Sequence, residues 1–175
     1  MELTNLIKRA KRGDGEAFVN AIKQYESVLY NVAKRLLVSD EDVADAMQEA
    51  IMSAFENIKN LNNEKYFKTW VCKILINKCN EVLRKNKKLI YVAEVLPDKK
   101  SSNDFLKIEL DDALNSLNKE YKIVMILYYI LGLNIREIGE FLMEPEGTVK
   151  SRLSRARTIL REKCFYEEEA FINGR

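Results

Sequence analysis

Histidine is absent from this chain. That removes the commonest general base and the usual nitrogen ligand of zinc. Cysteine is scarce: Cys72, Cys79 and Cys164 are odd in number and form no Cys-x-x-Cys pair. Such a set reads as buried apolar residues of a reducing compartment. Long apolar runs are missing too. The longest, residues 123–131, has nine residues and is too short to span a bilayer. The first residues are charged at Lys8 and lack a signal-peptide apolar core, so a cytoplasmic location is expected. No stretch alternates polar and apolar residues long enough to need a sheet, and no internal repeat is evident.

What is present describes an ordinary folded protein: 175 residues, 47% apolar and 32% charged. The formal net charge of +2 hides strong segregation. Residues 39–58 carry six acids and no base, whereas residues 65–88 carry eight bases and one acid. Residues 145–163 carry six bases and two acids. Blocks of this kind point to separate surfaces for a basic partner and for nucleic acid.

The most informative stretch is residues 134–160. Asn134 is a good N-cap for a short helix in which Ile135, Ile138 and Leu142 repeat at helical spacing. Gly139 lies inside that helix, where it costs about 1 kcal/mol against alanine, so close approach of a second helix is expected there. Pro145 is expected at the first position of the next helix. There, Val149, Leu153, Ala156 and Leu160 form one apolar stripe. Steps of about 100° put Lys150, Ser151, Ser154, Arg155 and Thr158 on the side away from it. Two helices, a tight turn and a small, basic outer face make a helix-turn-helix suited to a major groove.

In the rest of the chain, residues 3–11 read as a short helix stopped at Gly13 and Asp14. Across residues 15–37, Phe18, Ile22, Tyr25, Leu29, Val32, Ala33 and Leu36 repeat at helical spacing. Ser39 opens a helix with acids in its first turn, where the helix dipole favours them. That helix is expected to bury Val43, Met47, Ile51, Ala54 and Phe55, and to carry Asp45, Gln48 and Glu49 on one outer face. After a polar loop at residues 60–63, a long helix spans about residues 64–88, with Phe67, Trp70, Val71, Ile74 and Leu75 on one side. Trp70 is expected in the core. The terminal bases from Arg84 to Lys88, beside an aromatic cluster, suit single-stranded nucleic acid. Residues 92–104 are polar and aperiodic, as in a linker. Helices at about 105–117 and 119–131 then precede the helix-turn-helix.

This order of motifs resembles the extracytoplasmic-function (group IV) sigma factors of bacterial RNA polymerase. The resemblance rests on three blocks covering nearly the whole chain. Asp45, Gln48 and Glu49 lie in an element similar to the family's Asp-Leu-Val-Gln-Glu. Phe67, Trp70, Ile74, Asn77, Leu83 and Arg84 match its Phe-x-x-Trp helix, and residues 147–157 resemble its −35 recognition helix. The resemblance implies an all-α fold of two small helical domains: residues 1–91 (region 2), a linker at 92–104, and residues 105–168 (region 4). It implies binding rather than bond making, with no cofactor and no metal. Asp45, Gln48 and Glu49 would grip the clamp helices of β′ in core RNA polymerase, and the C-terminal domain would rest on the β flap. Asn62, Asn63, Lys65, Trp70, Asn77 and Arg84 would melt and read the −10 element of promoter DNA.

At −35, Lys150, Ser151 and Arg155 would meet base edges, Arg152 and Arg157 would hold phosphates, and Ser154 completes the face. Most relatives are held by an anti-sigma factor, often membrane-bound. Departures from the family pattern are Glu81 for aspartate, Met143 for the turn glycine, Glu144 for the apolar residue before the proline, and Asn118 for a proline. Two other readings start from the same residues. A free-standing helix-turn-helix repressor leaves the acidic helix unexplained. A metal-dependent nuclease would use Asp42, Asp45 and Glu49.

Overall fold

The computed structural model describes residues 2–90 and 117–173, with side chains described to residue 85 and from 117 to 163. The linker at 92–104, the helix expected at about 105–117 up to residue 116, and the side chains of Lys87, Lys88 and Cys164 lie outside what is described. Every element among the described residues is helical. The chain divides into two compact units, Met1–Leu96 and Pro97–Arg175.

The first unit holds α1 (Leu3–Lys11), α2 (Gly15–Lys23), α3 (Glu26–Leu36), α4 (Asp40–Asn57) and α5 (Phe67–Ile90). Residues 15–37 therefore form two helices, with a break at Gln24 and Tyr25. Asp14 caps α2, its carboxylate accepting from the Ala17 N–H at 2.9 Å, and Ser39 caps α4 by accepting from the Asp42 N–H at 3.4 Å. α4 packs along α5, α3 packs on both, and α1 lies on α2. Ile7, Leu29, Val43, Phe67, Val71 and Leu75 are fully enclosed between them.

The buried face of α4 differs from the expected one. Val43, Ala46, Ala50 and Ala54 are buried, Met47 and Ile51 only partly, and Phe55 remains 43% exposed. A seam of alanines lets α4 and α5 approach closely, which turns the bulkier side chains toward the flank. Trp70 is likewise half-buried rather than enclosed, with its ring 6.2 Å from that of Phe67.

The second unit holds α6 (Lys119–Met125), α7 (Ile135–Leu142) and α8 (Glu146–Asn173). Asn118 caps α6, accepting from the Tyr121 N–H at 2.9 Å, so asparagine fills the helix-start role where the family often has proline. α6 passes directly into a π-helical turn, Ile126–Ile130, in place of an unbroken helix to residue 131. Gly132 ends it at a φ of 71°. Asn134 and Glu137 form a full capping box at the start of α7: each accepts the other's backbone N–H, at 3.0 and 2.8 Å. Val124, Leu127, Ile138, Val149, Leu153 and Ala156 make the core.

The turn between α7 and α8 refines two expectations. A Cβ at Gly139 would lie 2.8 Å from the Glu144 carbonyl oxygen, so the close neighbour is the backbone of the turn rather than a second helix. Pro145 precedes α8 by one residue. Its carbonyl accepts from Thr148 and Val149 at 3.0 and 3.2 Å, as an N-cap residue's does.

Candidate functional site

Three exposed surfaces bring together the candidate residues. The first is the outer face of α4. Asp45, Gln48 and Glu49 are all exposed there, about one turn apart. Glu49 is also tied inward: Lys78 on α5 reaches it at 3.3 Å and Glu81 at 3.3 Å. The two carboxylates, Glu49 first, hold the Lys78 ammonium above its ordinary pKa. Glu81, where the family has aspartate, thus keeps its carboxylate in use. Beside these charges lies a shallow apolar groove lined by Tyr30, Met47, Gln48, Ile51 and Met52. Tyr30 and Met52 are 45% and 56% exposed. The sequence pattern placed Met47 and Ile51 in the core and so concealed this groove.

The second surface begins at the loop before α5. Ile58 and Leu61 are buried and anchor it, while Asn62, Asn63 and Lys65 are exposed. The Asn63 side chain is turned to local use, accepting from the Lys65 N–H at 3.0 Å. The Glu64 carboxylate meets Lys11 of α1 at 3.0 Å, both side chains largely covered. Its pKa is lowered, first by its own backbone N–H and then by Lys11. α1 therefore braces the loop across 53 positions of sequence, a contact that nothing in the spacing signals. Along α5, Trp70, Asn77 and Arg84 recur every seven residues, which keeps them within about 40° of one stripe. Asn77 and Arg84 are exposed, and Arg84 Nε donates to the Asn80 carbonyl at 3.3 Å. Tyr66, 61% exposed next to this stripe, carries no signal in the sequence pattern that singles it out.

The third surface is α8. Lys150, Ser151, Ser154, Arg155 and Thr158 are all exposed, opposite the buried Val149, Leu153 and Ala156. Lys150 stands 3.9 Å from Glu146 in an exposed pair. Arg155 has no hydrogen bond or ion pair among the described residues. The two arginines expected to hold phosphates are engaged inside the unit. Arg152 is only 20% exposed and lies between Glu120 and Glu144, at 3.0 and 2.5 Å. Arg157 is exposed but stacks over Tyr128 and Tyr129, 5.3 and 5.8 Å from the ring centres, and Nε donates to the Tyr129 hydroxyl at 3.1 Å.

Among the described residues no group of three carboxylate or thiol side chains could hold a metal ion, so Asp42, Asp45 and Glu49 do not form the cluster a nuclease would need. No helix among them is long and apolar enough to cross a membrane.

Comparison with known proteins gives one consistent result. Residues 21–89 match the family model for Sigma-70 region 2, and residues 107–160 that for Sigma-70, region 4. The chain is 30% identical to the ECF RNA polymerase sigma factor SigW of Bacillus subtilis, over 93% of this chain and 97% of that one. It is 31% identical to the RNA polymerase sigma factor SigV of the same species, over 86% and 92%. Among solved structures, CnrH in complex with the cytosolic domain of CnrY shares the fold, with a TM-score of 0.70, 21% identity and coverage of 92% and 96%. RpoE in complex with the anti-sigma factor NepR from Bartonella quintana gives 0.68, 23% identity and coverage of 83% and 96%. The chain belongs to the sigma-70 family, among its extracytoplasmic-function sigma factors.

Proposed function

We propose that this protein is a promoter-specificity subunit that joins core RNA polymerase, directs initiation from its own class of promoters and then leaves. The observation that carries the reading is the division of exposed charge: an acidic row on α4 in one unit and a basic, small-residue row on α8 in the other. A simple DNA-binding regulator has no use for the acidic row. In this reading Asp45, Gln48 and Glu49 meet the clamp helices of β′, with the apolar groove beside them supplying contact area and the charges supplying selectivity. The second unit rests on the β flap and lays α8 in the −35 major groove.

Ser151 and Arg155 lie about 40° apart on α8 and one turn along it, so they address neighbouring base edges. Lys150 and Ser154 extend that row. At −10, Asn62, Asn63 and Lys65 receive a base turned out of the stack, and Trp70, Asn77 and Arg84 line the path of the opened strand. Unstacking a base costs a few kcal/mol, which capture in a loop offsets. The division at residues 1–91, 92–104 and 105–168 matches these roles, with the linker carrying the chain toward the RNA exit path. The protein acts in the cytoplasm, where its polymerase and promoters are, and makes no bond itself. An anti-sigma factor, in many relatives bound to the membrane, withholds it until a signal arrives.

Transcription in vitro tests the whole reading. Core polymerase plus this protein should give defined start sites on genomic DNA fragments, each preceded by shared −10 and −35 elements, and core polymerase alone should not. Binding to DNA with no specific transcript would overturn it.

A further inference from the structure

The two carboxylates around Arg152 bear on how the −35 helix reads DNA, and their role rests on that reading. Arg152 lies on α8 about 60° to one side of Val149, at the edge of the buried stripe and next to the outer face that carries Arg155 and Ser151. Its guanidinium joins three elements. Nη2 meets Glu120 in the first turn of α6, and Nη1 meets Glu144 in the turn between α7 and α8. The Arg152 and Glu144 side chains are 20% and 29% exposed, so solvent screens this pair less than an ordinary surface pair. The turn is tight on the side that faces Gly139. Met143 holds a left-handed conformation, and the Glu144 carbonyl lies close over Gly139. A DNA phosphate reaching Arg152 would meet one positive and two negative groups.

We infer that Arg152 is a positioning residue: with Glu144 and Glu120 it sets the angle at which α8 enters the −35 groove, and it does not hold a phosphate. Glu144 then has a specific use at a position where the family has an apolar residue. It replaces apolar packing of the turn with an ionic tie to the reading helix. Arg157, on the opposite flank and exposed, provides the internal contrast, because it leans on two tyrosines and, among the described residues, is paired with no carboxylate that a phosphate would have to displace.

The experiment uses polymerase reconstituted with full-length variants. Binding is measured to promoter fragments with the matched −35 element and with each single-base change, across a series of salt concentrations. Arg152→Gln and Glu144→Gln should each lower the preference for the matched element by about tenfold, with the salt slope unchanged. The double variant Arg152→Gln/Glu144→Gln should be no worse than either single one. The charge exchange Arg152→Glu/Glu144→Arg, made together with Glu120→Gln so that the new carboxylate meets no like charge, should restore most of the preference, and that arm remains decisive if a single variant is poorly folded. Arg157→Gln should instead reduce the slope by about 0.9 with the ranking of sites intact. The inference is overturned if Arg152→Gln lowers the slope by that amount while Glu144→Gln, which releases the guanidinium, tightens binding to every fragment. It is equally overturned if the preference is unmoved in both variants and in the exchange. Failure of the −35 reading itself looks different: the wild-type protein would not discriminate among the fragments at all.

Discussion

Met143 has a φ of 57° and a ψ of 45°, and its side chain stands 85% exposed. A left-handed conformation costs an L-residue about 1–2 kcal/mol, while glycine gives back roughly 0.5–1 kcal/mol in chain entropy. Met143→Gly should therefore stabilise the protein by up to about 1 kcal/mol, read as a higher midpoint in denaturant unfolding. The methionine makes no buried contact that would offset its strain. The cysteines give a second prediction at this scale. Burial pushes the Cys72 and Cys79 thiols from an ordinary 9.0 up to about 12. Each stays protonated in the fold while the unfolded chain ionises. Their contribution is complete below about pH 9 and is lost as pH rises toward 12. Unfolding at about pH 8 and about pH 10 should show a smaller alkaline loss in Cys72→Ala/Cys79→Ala than in the wild type.

At the scale of elements, α4 shows how packing overrides pattern. Its core face is Val43, Ala46, Ala50 and Ala54, and Phe55 stays on the flank with its ring 5.1 Å from that of Phe18. Ala50→Leu should cost about 1–3 kcal/mol by overfilling the contact with α5. Phe55→Ala should cost less than the roughly 3–5 kcal/mol of an enclosed aromatic. Thermal unfolding of the two variants orders them, and an inert Ala50→Leu would refute the close seam. The caps at Ser39 and Asn134 were legible in the sequence because a cap is decided within four residues. The outer face of α8 was legible because one helix repeat decides it. The alanine seam was not, since it depends on how near α5 comes. Nor were the partners of Arg152: Glu120 is remote in sequence, and Glu144 is aimed by the left-handed residue before it. Trp70 sat at a core spacing, yet α5 leaves one edge of it open.

For the whole molecule, the net charge of +2 is a sum over surfaces that do different work. In the proposed function the acidic row on α4 is the polymerase's and the basic rows are the promoter's. Asp45→Arg should abolish co-purification with core polymerase and shift stability by less than about 0.5 kcal/mol, because Asp45 is exposed. Retained co-purification would remove Asp45 from the polymerase surface. Glu49 is the less direct probe, since reversing its charge also sets a second cation beside Lys78, with Glu81 left as its partner.

The brace between Lys11 and Glu64 has a consequence in time. Lys11 leaves the ribosome 53 residues ahead of its partner. Short helices form on their own schedule, but a contact that closes so long a stretch of chain waits for both ends and forms late. The loop ahead of α5 therefore takes its final shape only once α1 and Glu64 have both been made. The order of synthesis thus leaves α1 waiting for the loop that it braces.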